Sequence, residues 1–594
     1  MIRKDVLPEV TVKTIQSILK ENGIDALISN NKSYKEGWYS CSLEITGLKD
    51  ISTNGKGVEL NHAYASAYAE MLERIQSGLL LDGLFPEKVN TSKSEDISDE
   101  LMDIYESYFN HIIQDYNKDK AEKLLQYNKK FCVLSSYFDV IRKNVVELPD
   151  KFISALCGSN GVSSGNSKEE AFVQGTCEVF ERYINYIIHH EEYNADKFPI
   201  IDEKYFSNTY AYTLIKKIEK KGLKVIVKDC TLNGLFPVIG VLVMNMSRTK
   251  YYFAIGSDIN LDICIQRCIT EMFQGKDINI DFRYHMHSIV EQYDNFWYLK
   301  NKRNEYAKSV RDGRGKLPRR FFLGESKDYY NGIIEPFEYN NISNKDAAVR
   351  INQILAKLKV NVYIKDYSYL EFDTLRIYIP GMSEMPVWKD DNVLDLYIDY
   401  YEFLDSYKCR NYKQMSRTLS SLLKNPLFSN EYKLSKLLNI NKETNGGNKS
   451  LLDMDVHYFL VAISLFQKNY DDVIKNIIEY QKICSIQPRK AYLQLLSLEA
   501  VINNVNKTEY EQFIHNTVVA NEVDECITLY DMFYAFKNNG VDIVCCAICE
   551  NCSVKDLCNY NKWKEIIICL SKKKEYFEKT YKYMDSIYQD ISLD

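Results

Sequence analysis

Short apolar runs punctuate the first four hundred residues: YSCSLEIT, LKVIVKDC, FPVIGVLVM, YYFAIG, NVYIKDY and LRIYIPG. Each is rich in β-branched or aromatic residues and is bounded by turn formers, which predicts strands. Between them, apolar positions recur three and four apart, the spacing of helices with one buried face. The pattern predicts an α+β domain over residues 1–405. Beyond it the spacing is helical throughout, and residues 406–594 are expected to form an all-helical domain. The polar stretch NKETNGGNKS at 441–450 reads as a connection between helical pieces. Residues 456–484 read as two helices about a Lys-Asn-Tyr turn. Such pairs suggest tetratricopeptide-like packing, with an irregular bundle as the alternative because the full repeat signature is missing.

One predicted helix carries more than a core-facing stripe. Residues 160–182, NGVSSGNSKEEAFVQGTCEVFER, join a Gly-containing turn to a helix. On that helix Glu170, Gln174, Glu178 and Glu181 fall at about 0, 40, 80 and 20 degrees, so they share one side. Phe172, Val179 and Phe180 point away, toward a core. Carboxylates at this spacing repel each other, and no Lys follows Lys168 to relieve them. A partner cation is expected.

The same plan recurs twice. STNGKGVELNHAYASAYAEMLER at 52–74 is a Gly turn and a helix bearing Glu70 and Glu73, then Arg74. AIGSDINLDICIQRCITEMFQG at 254–275 is a Gly turn followed by Arg267, Glu271 and Gln274 on one helical face. A surface charge pattern has no reason to reappear three times behind the same turn.

Composition narrows the setting. With 594 residues, 45% of them apolar and only 11 Pro, the chain can bury large cores in two or more domains. Its longest apolar run, LFPVIGVLVM, falls well short of the roughly 20 residues that span a bilayer, and MIRKDVLPEVTV holds no signal-like apolar region. A cytoplasmic protein without a membrane partner is expected. In that setting its 16 Cys are free thiols or metal ligands rather than disulfides. The net charge of −7 argues against general nucleic-acid binding.

Mg²⁺ takes hard oxygen ligands, commonly a few carboxylates with water and substrate phosphate oxygens. Two Glu pairs on facing helices would supply the carboxylates. Ser163, Ser164, Gly165 and Asn166 precede the second helix, where free N–H groups and the helix dipole favour phosphate. Arg182 and Arg267 would add bidentate contacts. The combination resembles a nucleotide-and-metal site, though with no Walker G-x-x-x-x-G-K-[ST] and no protein-kinase H-R-D and D-F-G set. The alternative is a set of solvated acidic faces, with Arg74 and Arg182 as local ion-pair partners.

These motifs resemble the YcaO family. The likeness runs from Ser159 to Arg182, and extends to TNGKG at 53–57, ASAYAEMLER at 65–74, TEMFQG at 270–275 and IPGMSE at 379–384. The chain is most similar to the stand-alone members with a helical C-terminal region, which serve as accessory factors for β-methylthiolation of a ribosomal protein. The resemblance implies an ATP-binding fold with Mg²⁺ held by Glu residues. Members use ATP to phosphorylate a backbone amide oxygen as a nucleophile adds to the carbonyl carbon. By the same resemblance Glu70 and Glu73 match one metal-binding pair and Glu178 and Glu181 the other. Ser163, Asn166, Glu170, Gln174 and Arg182 match nucleotide positions, as do Arg267, Glu271 and Gln274, and Lys4 matches an N-terminal lysine that reaches ATP. Ala69 and Ser164 depart from the pattern without removing a carboxylate.

The implied acceptor is a peptide or protein, with a ribosomal protein and a methylthiotransferase as partners in the accessory reading. Azoline-forming members end in a proline-rich tail, whereas no Pro follows Pro488 here. An azoline- or thioamide-forming enzyme and a non-catalytic ATP-binding scaffold remain the alternatives. The helical region would offer either a partner groove or a homodimer contact. Finally, Cys546, Cys549, Cys552 and Cys558 have spacing that suits Zn²⁺ or an iron–sulfur cluster, but buried free thiols are the commoner case in helices.

Overall fold

The computed structural model describes residues 4–34, 38–46, 48–80, 118–131, 134–189, 198–273, 286–288, 305–306, 308–310, 315–322, 325–384, 392–425, 455–539 and 559–581. Its first elements are α1 (Pro8–Glu21), β1 (Ala26–Tyr34), β2 (Trp38–Ile45), β3 (Leu48–Gly57) and α2 (Leu60–Gln76). There follow α3 (Lys118–Phe131), β4 (Leu134–Asp139), β5 (Asn144–Pro149), α4 (Asp150–Cys157), β6 (Val162–Ser164) and α5 (Lys168–His189). Next come α6 (Tyr210–Glu219), β7 (Leu223–Asp229), β8 (Val238–Asn245), β9 (Lys250–Ser257), α7 (Leu261–Met272) and β10 (His287–Ser288). The mixed part closes with α8 (Asn344–Leu358), β11 (Tyr363–Asp366) and β12 (Thr374–Tyr378).

The strands form three antiparallel sheets, ordered β1-β2-β3, β10-β9-β8-β7 and β5-β4-β11-β12-β6. The uninterrupted apolar run of β8 is explained by cover on both faces, since successive side chains of a strand point to opposite sides. Val238, Leu242 and Met244 pack in one core with α5, while Ile239, Val241 and Val243 pack in another with α6 and α7. On its other flank α5 meets the five-stranded sheet through Ile364, Leu375 and Ile377. It is therefore held between two sheets, and only its carboxylate-bearing edge is left to face a cleft. Close packing fixes its height. A Cβ on Gly175 would lie 2.6 Å from Ser163 Oγ and 3.0 Å from Gly161 O.

The three-stranded sheet buries Cys41, Leu43 and Ile45 against Ala63, Ala67, Met71 and Leu72 of α2, with Ile15 and Leu19 of α1 beside them. Gly55 brings β3 hard against α2, because a Cβ there would meet Ala63 O at 1.9 Å.

Beyond these sheets the described chain is helical: α9 (Asn392–Lys408), α10 (Tyr412–Lys424), α11 (Val456–Phe466), α12 (Tyr470–Ile483), α13 (Pro488–Ile502), α14 (Lys507–Thr517), α15 (Val523–Asn539) and α16 (Asn559–Thr580). Helices α9 to α15 share one apolar cluster. Helix α16 packs elsewhere. Trp563, Ile567 and Leu570 enter the core beneath the three-stranded sheet, and Lys573 Nζ donates to Asn22 Oδ1 at 2.8 Å. Just past its end, Tyr581 hydroxyl meets Asp366 Oδ2 at 2.5 Å, and Asp366 also pairs with Lys168 at 2.9 Å. Among the described residues no helix is long and apolar enough to cross a membrane.

Candidate active site

The three recurrent sequence units appear as β3 leading into α2, β6 into α5 and β9 into α7, each strand in a different sheet. Their helices border one cleft of about 950 Å³. Lys4, Glu70, Glu73, Asn166, Glu170, Gln174, Glu178, Glu181, Arg182, Arg267 and Glu271 all line it. Residues separated by up to 267 positions thus share one space.

At the start of α5, Ser167 Oγ accepts the Glu170 N–H at 3.1 Å, the first half of a capping box. The Glu170 carboxylate does not complete the box by reaching back. It accepts from Lys4 Nζ at 2.7 Å, from the Asp5 N–H at 3.3 Å and from Asn166 Nδ2 at 3.2 Å. Lys4 Nζ also approaches Gln174 Oε1 at 3.4 Å, and Thr11 Oγ1 of α1 donates to Asn166 Oδ1 at 2.8 Å. The N-terminal segment is thereby bound to the first turns of α5. Ser163 is placed differently from the rest. It is fully buried, its hydroxyl donates to Ala171 O at 2.6 Å, and Ser164 lines the cleft in its stead. Period two in β6 turns neighbouring side chains to opposite faces.

Further along lies the acidic centre. Arg74 pairs with Glu70 at 2.5 Å and Arg182 with Glu178 at 2.7 Å, each one turn apart on its helix. The local ion pairs expected of solvated faces therefore exist, but inside the cleft. Burial raises the Glu73 carboxyl well above its usual range, and the charges of Glu178 and Glu70 add to the rise. Desolvation likewise raises Glu181, against the pull of Arg267 and Lys56. Lys56 of β3 forms an ion pair with Glu271, and burial lowers its ammonium to about 8. Lys56 was legible only as part of TNGKG. Gln266 and Asn185 also line the cleft; Asn185 falls at about 60 degrees, within the arc of the α5 stripe but past the motif that ends at Arg182, and Gln266 lies off the face that Arg267 and Glu271 share.

Among the described residues no three His, Cys, Asp or Glu are gathered closely enough to hold a metal by themselves. The donor set still suits Mg²⁺, which needs only one or two carboxylates when phosphate and water complete its shell. Two carboxyls raised by burial and like charge would gain from such a cation. Gln274 and the Cys546 to Cys558 cluster lie outside the described residues.

Compared with protein families, residues 54–383 match YcaO, described as an ATP- and Mg²⁺-binding cyclodehydratase family. The chain is 26% identical over 358 residues to the ribosomal protein S12 methylthiotransferase accessory factor YcaO of Escherichia coli (strain K12), covering 56% of this chain and 57% of that protein. An uncharacterized protein of Haemophilus influenzae is 26% identical over 367 residues, with the same coverage of 56% and 57%. The match therefore spans little more than half the length of either curated relative. Among solved structures, a heterocyclase in complex with substrate and cofactor is similar at a TM-score of 0.40 and 16% identity, over 64% of this chain and 53% of that one. YcaO from Methanopyrus kandleri, bound with AMPPCP and Mg²⁺, is similar at 0.37 and 15%, over 64% and 92%.

Proposed function

Because this chain belongs to the YcaO family, we propose that it uses ATP and Mg²⁺ to activate a backbone amide of a peptide or protein toward a nucleophile. One observation carries this reading: the two Glu pairs, Arg182, Arg267 and the Lys4–Glu170 group converge on one cleft, on helices that follow strands of three different sheets and on the segment before α1. ATP would supply the phosphoryl group for the amide oxygen, and Mg²⁺ would supply positive charge to offset the phosphates. Glu70, Glu73, Glu178 and Glu181 would hold the metal. Lys4, Asn166, Glu170 and Gln174 orient the nucleotide from the first turns of α5. Arg182 and Arg267 would neutralise phosphate charge, with greater effect in a partly buried cleft than in water. Ser163 supports the turn from behind rather than touching the ligand.

A second reading, an accessory role beside a methylthiotransferase acting on a ribosomal protein, is favoured by the role named for the Escherichia coli relative. It uses the same cleft, with helices α9 to α15 as a surface for a partner or a second copy. Incubating the protein with Mg²⁺, ATP and candidate peptides, with and without thiol nucleophiles, tests the first reading. Peptide-dependent ADP release with a mass change in the peptide supports it. ADP release without any mass change favours the accessory role.

A further inference from the structure

Two uncharged amides in the cleft have hydrogen-bonding capacity that no described residue uses. Gln266 of α7 is 2% exposed, and both its Oε1 and Nε2 lack a partner among the described residues. Asn185 of α5 is 6% exposed. Its Nδ2 donates to Ser309 Oγ at 3.0 Å, and its Oδ1 lacks a partner. Both residues line the same cleft. Buried polar groups without partners are costly, and one that lines a cleft can be completed by a ligand or by water there.

Position along α5 suggests which ligand. Asn166, Glu170 and Gln174 mark the nucleotide end, and Glu178 and Glu181 the acidic centre. Asn185 lies one turn past Glu181, about 6 Å along the axis, on the side away from Lys4. Gln266 is the chain neighbour of Arg267, whose guanidinium is raised in pKa partly by the Glu181 charge although burial opposes it. With the phosphates held at the acidic centre, as proposed above, Asn185 lies past them on α5 and Gln266 is the chain neighbour of an arginine that faces them. An atom that attacks a phosphoryl group must lie within about 3.5 Å of it, so this is where an acceptor belongs. A carboxamide offers both an N–H donor and a carbonyl acceptor in one plane, the complement of a peptide group.

Resting on the function proposed above, we infer that Gln266 and Asn185 form the acceptor subsite and position a peptide backbone amide by neutral hydrogen bonds.

The test loads the full chain with Mg²⁺ and AMPPCP and measures binding of N-acetylglycine N-methylamide by NMR in wild type and Gln266→Met. The expected result is at least a tenfold loss of peptide affinity with less than a twofold change for AMPPCP. The melting temperature without ligands should stay level or rise, because an unpartnered amide has been removed. Unchanged peptide affinity, as when water alone completes these amides, overturns the inference, and so does wild type that binds AMPPCP but no peptide. A parallel loss of AMPPCP assigns Gln266 to the nucleotide instead, and a lowered melting temperature makes it structural. Asn185→Leu, on a different helix, repeats the test should Gln266→Met not fold. Wild type that binds no AMPPCP would defeat the proposed function itself.

Discussion

Replacing Glu73 by Gln and, separately, Glu178 by Gln should move the ligand-free protein in opposite directions and the nucleotide response in the same direction. Glu73 is 9% exposed, and burial with the Glu178 and Glu70 charges holds its carboxyl well above the usual range. The native state then keeps a proton that the unfolded chain has released, so this group's contribution falls as pH rises above the unfolded value of about 4.3. Gln removes that burden. Glu73→Gln should therefore be more stable than wild type at pH 7, and its advantage should shrink toward pH 4. Glu178 differs because it pairs with Arg182 at 2.7 Å, the two side chains being 23% and 24% exposed. Losing such a pair costs roughly 0.5–1 kcal/mol. With Mg²⁺ and ATP both variants lack one carboxylate ligand. A tenfold weaker affinity is about 1.4 kcal/mol, so at a ligand concentration one hundred times the wild-type Kd the stabilisation should fall from about 2.7 to about 1.4 kcal/mol. Thermal unfolding at pH 4 and 7, with and without the ligands, reads both effects. A less stable ligand-free Glu73→Gln, or a full nucleotide response in either variant, would refute the reasoning.

Trp563→Ala should cost about 3–5 kcal/mol although it lies far along the chain, because Trp563 is 7% exposed in the core under α2; thermal unfolding checks this, and a silent change would mean α16 does not dock. Gly175→Ala should cost about 1–3 kcal/mol, since its Cβ would meet Ser163 Oγ at 2.6 Å; chemical denaturation measures it. Burial lowers His189 to about 4, so the unfolded chain binds its proton first and stability should decline as pH falls from about 6.5 to 4. His189→Gln should flatten that decline in acid unfolding curves, and an unaltered slope would exclude the histidine as its source.

What the sequence disclosed followed from short-range periodicity. The run FPVIGVLVM is β8 because two cores need its two faces, and the stripe from Glu170 to Glu181 is the one edge of α5 that the sheets leave open. Recurrence of turn and helix signalled a shared cleft because each unit presents its polar stripe at a strand end. Long-range closure left no such mark. Nothing in NKWKEIIICL announces that Trp563 and Ile567 pack beneath α2, since an amphipathic helix fits any apolar surface. Ser163 and Ser164 could not be told apart without knowing which face of β6 meets α5. Gln266 reaches the cleft through tertiary placement alone, whereas Lys56 shows in sequence only within TNGKG and Asn185 only as a continuation of the α5 stripe.

The central claim is that the three-helix cleft is a Mg²⁺-dependent ATP site. Calorimetric titration of ATP into the whole chain, once with Mg²⁺ and once with the cation chelated, tests it most directly. Binding with Mg²⁺ that is lost or greatly weakened on chelation, and weakened in Glu181→Gln, is the predicted result. No binding in the presence of Mg²⁺, or equal binding without it, would contradict the account.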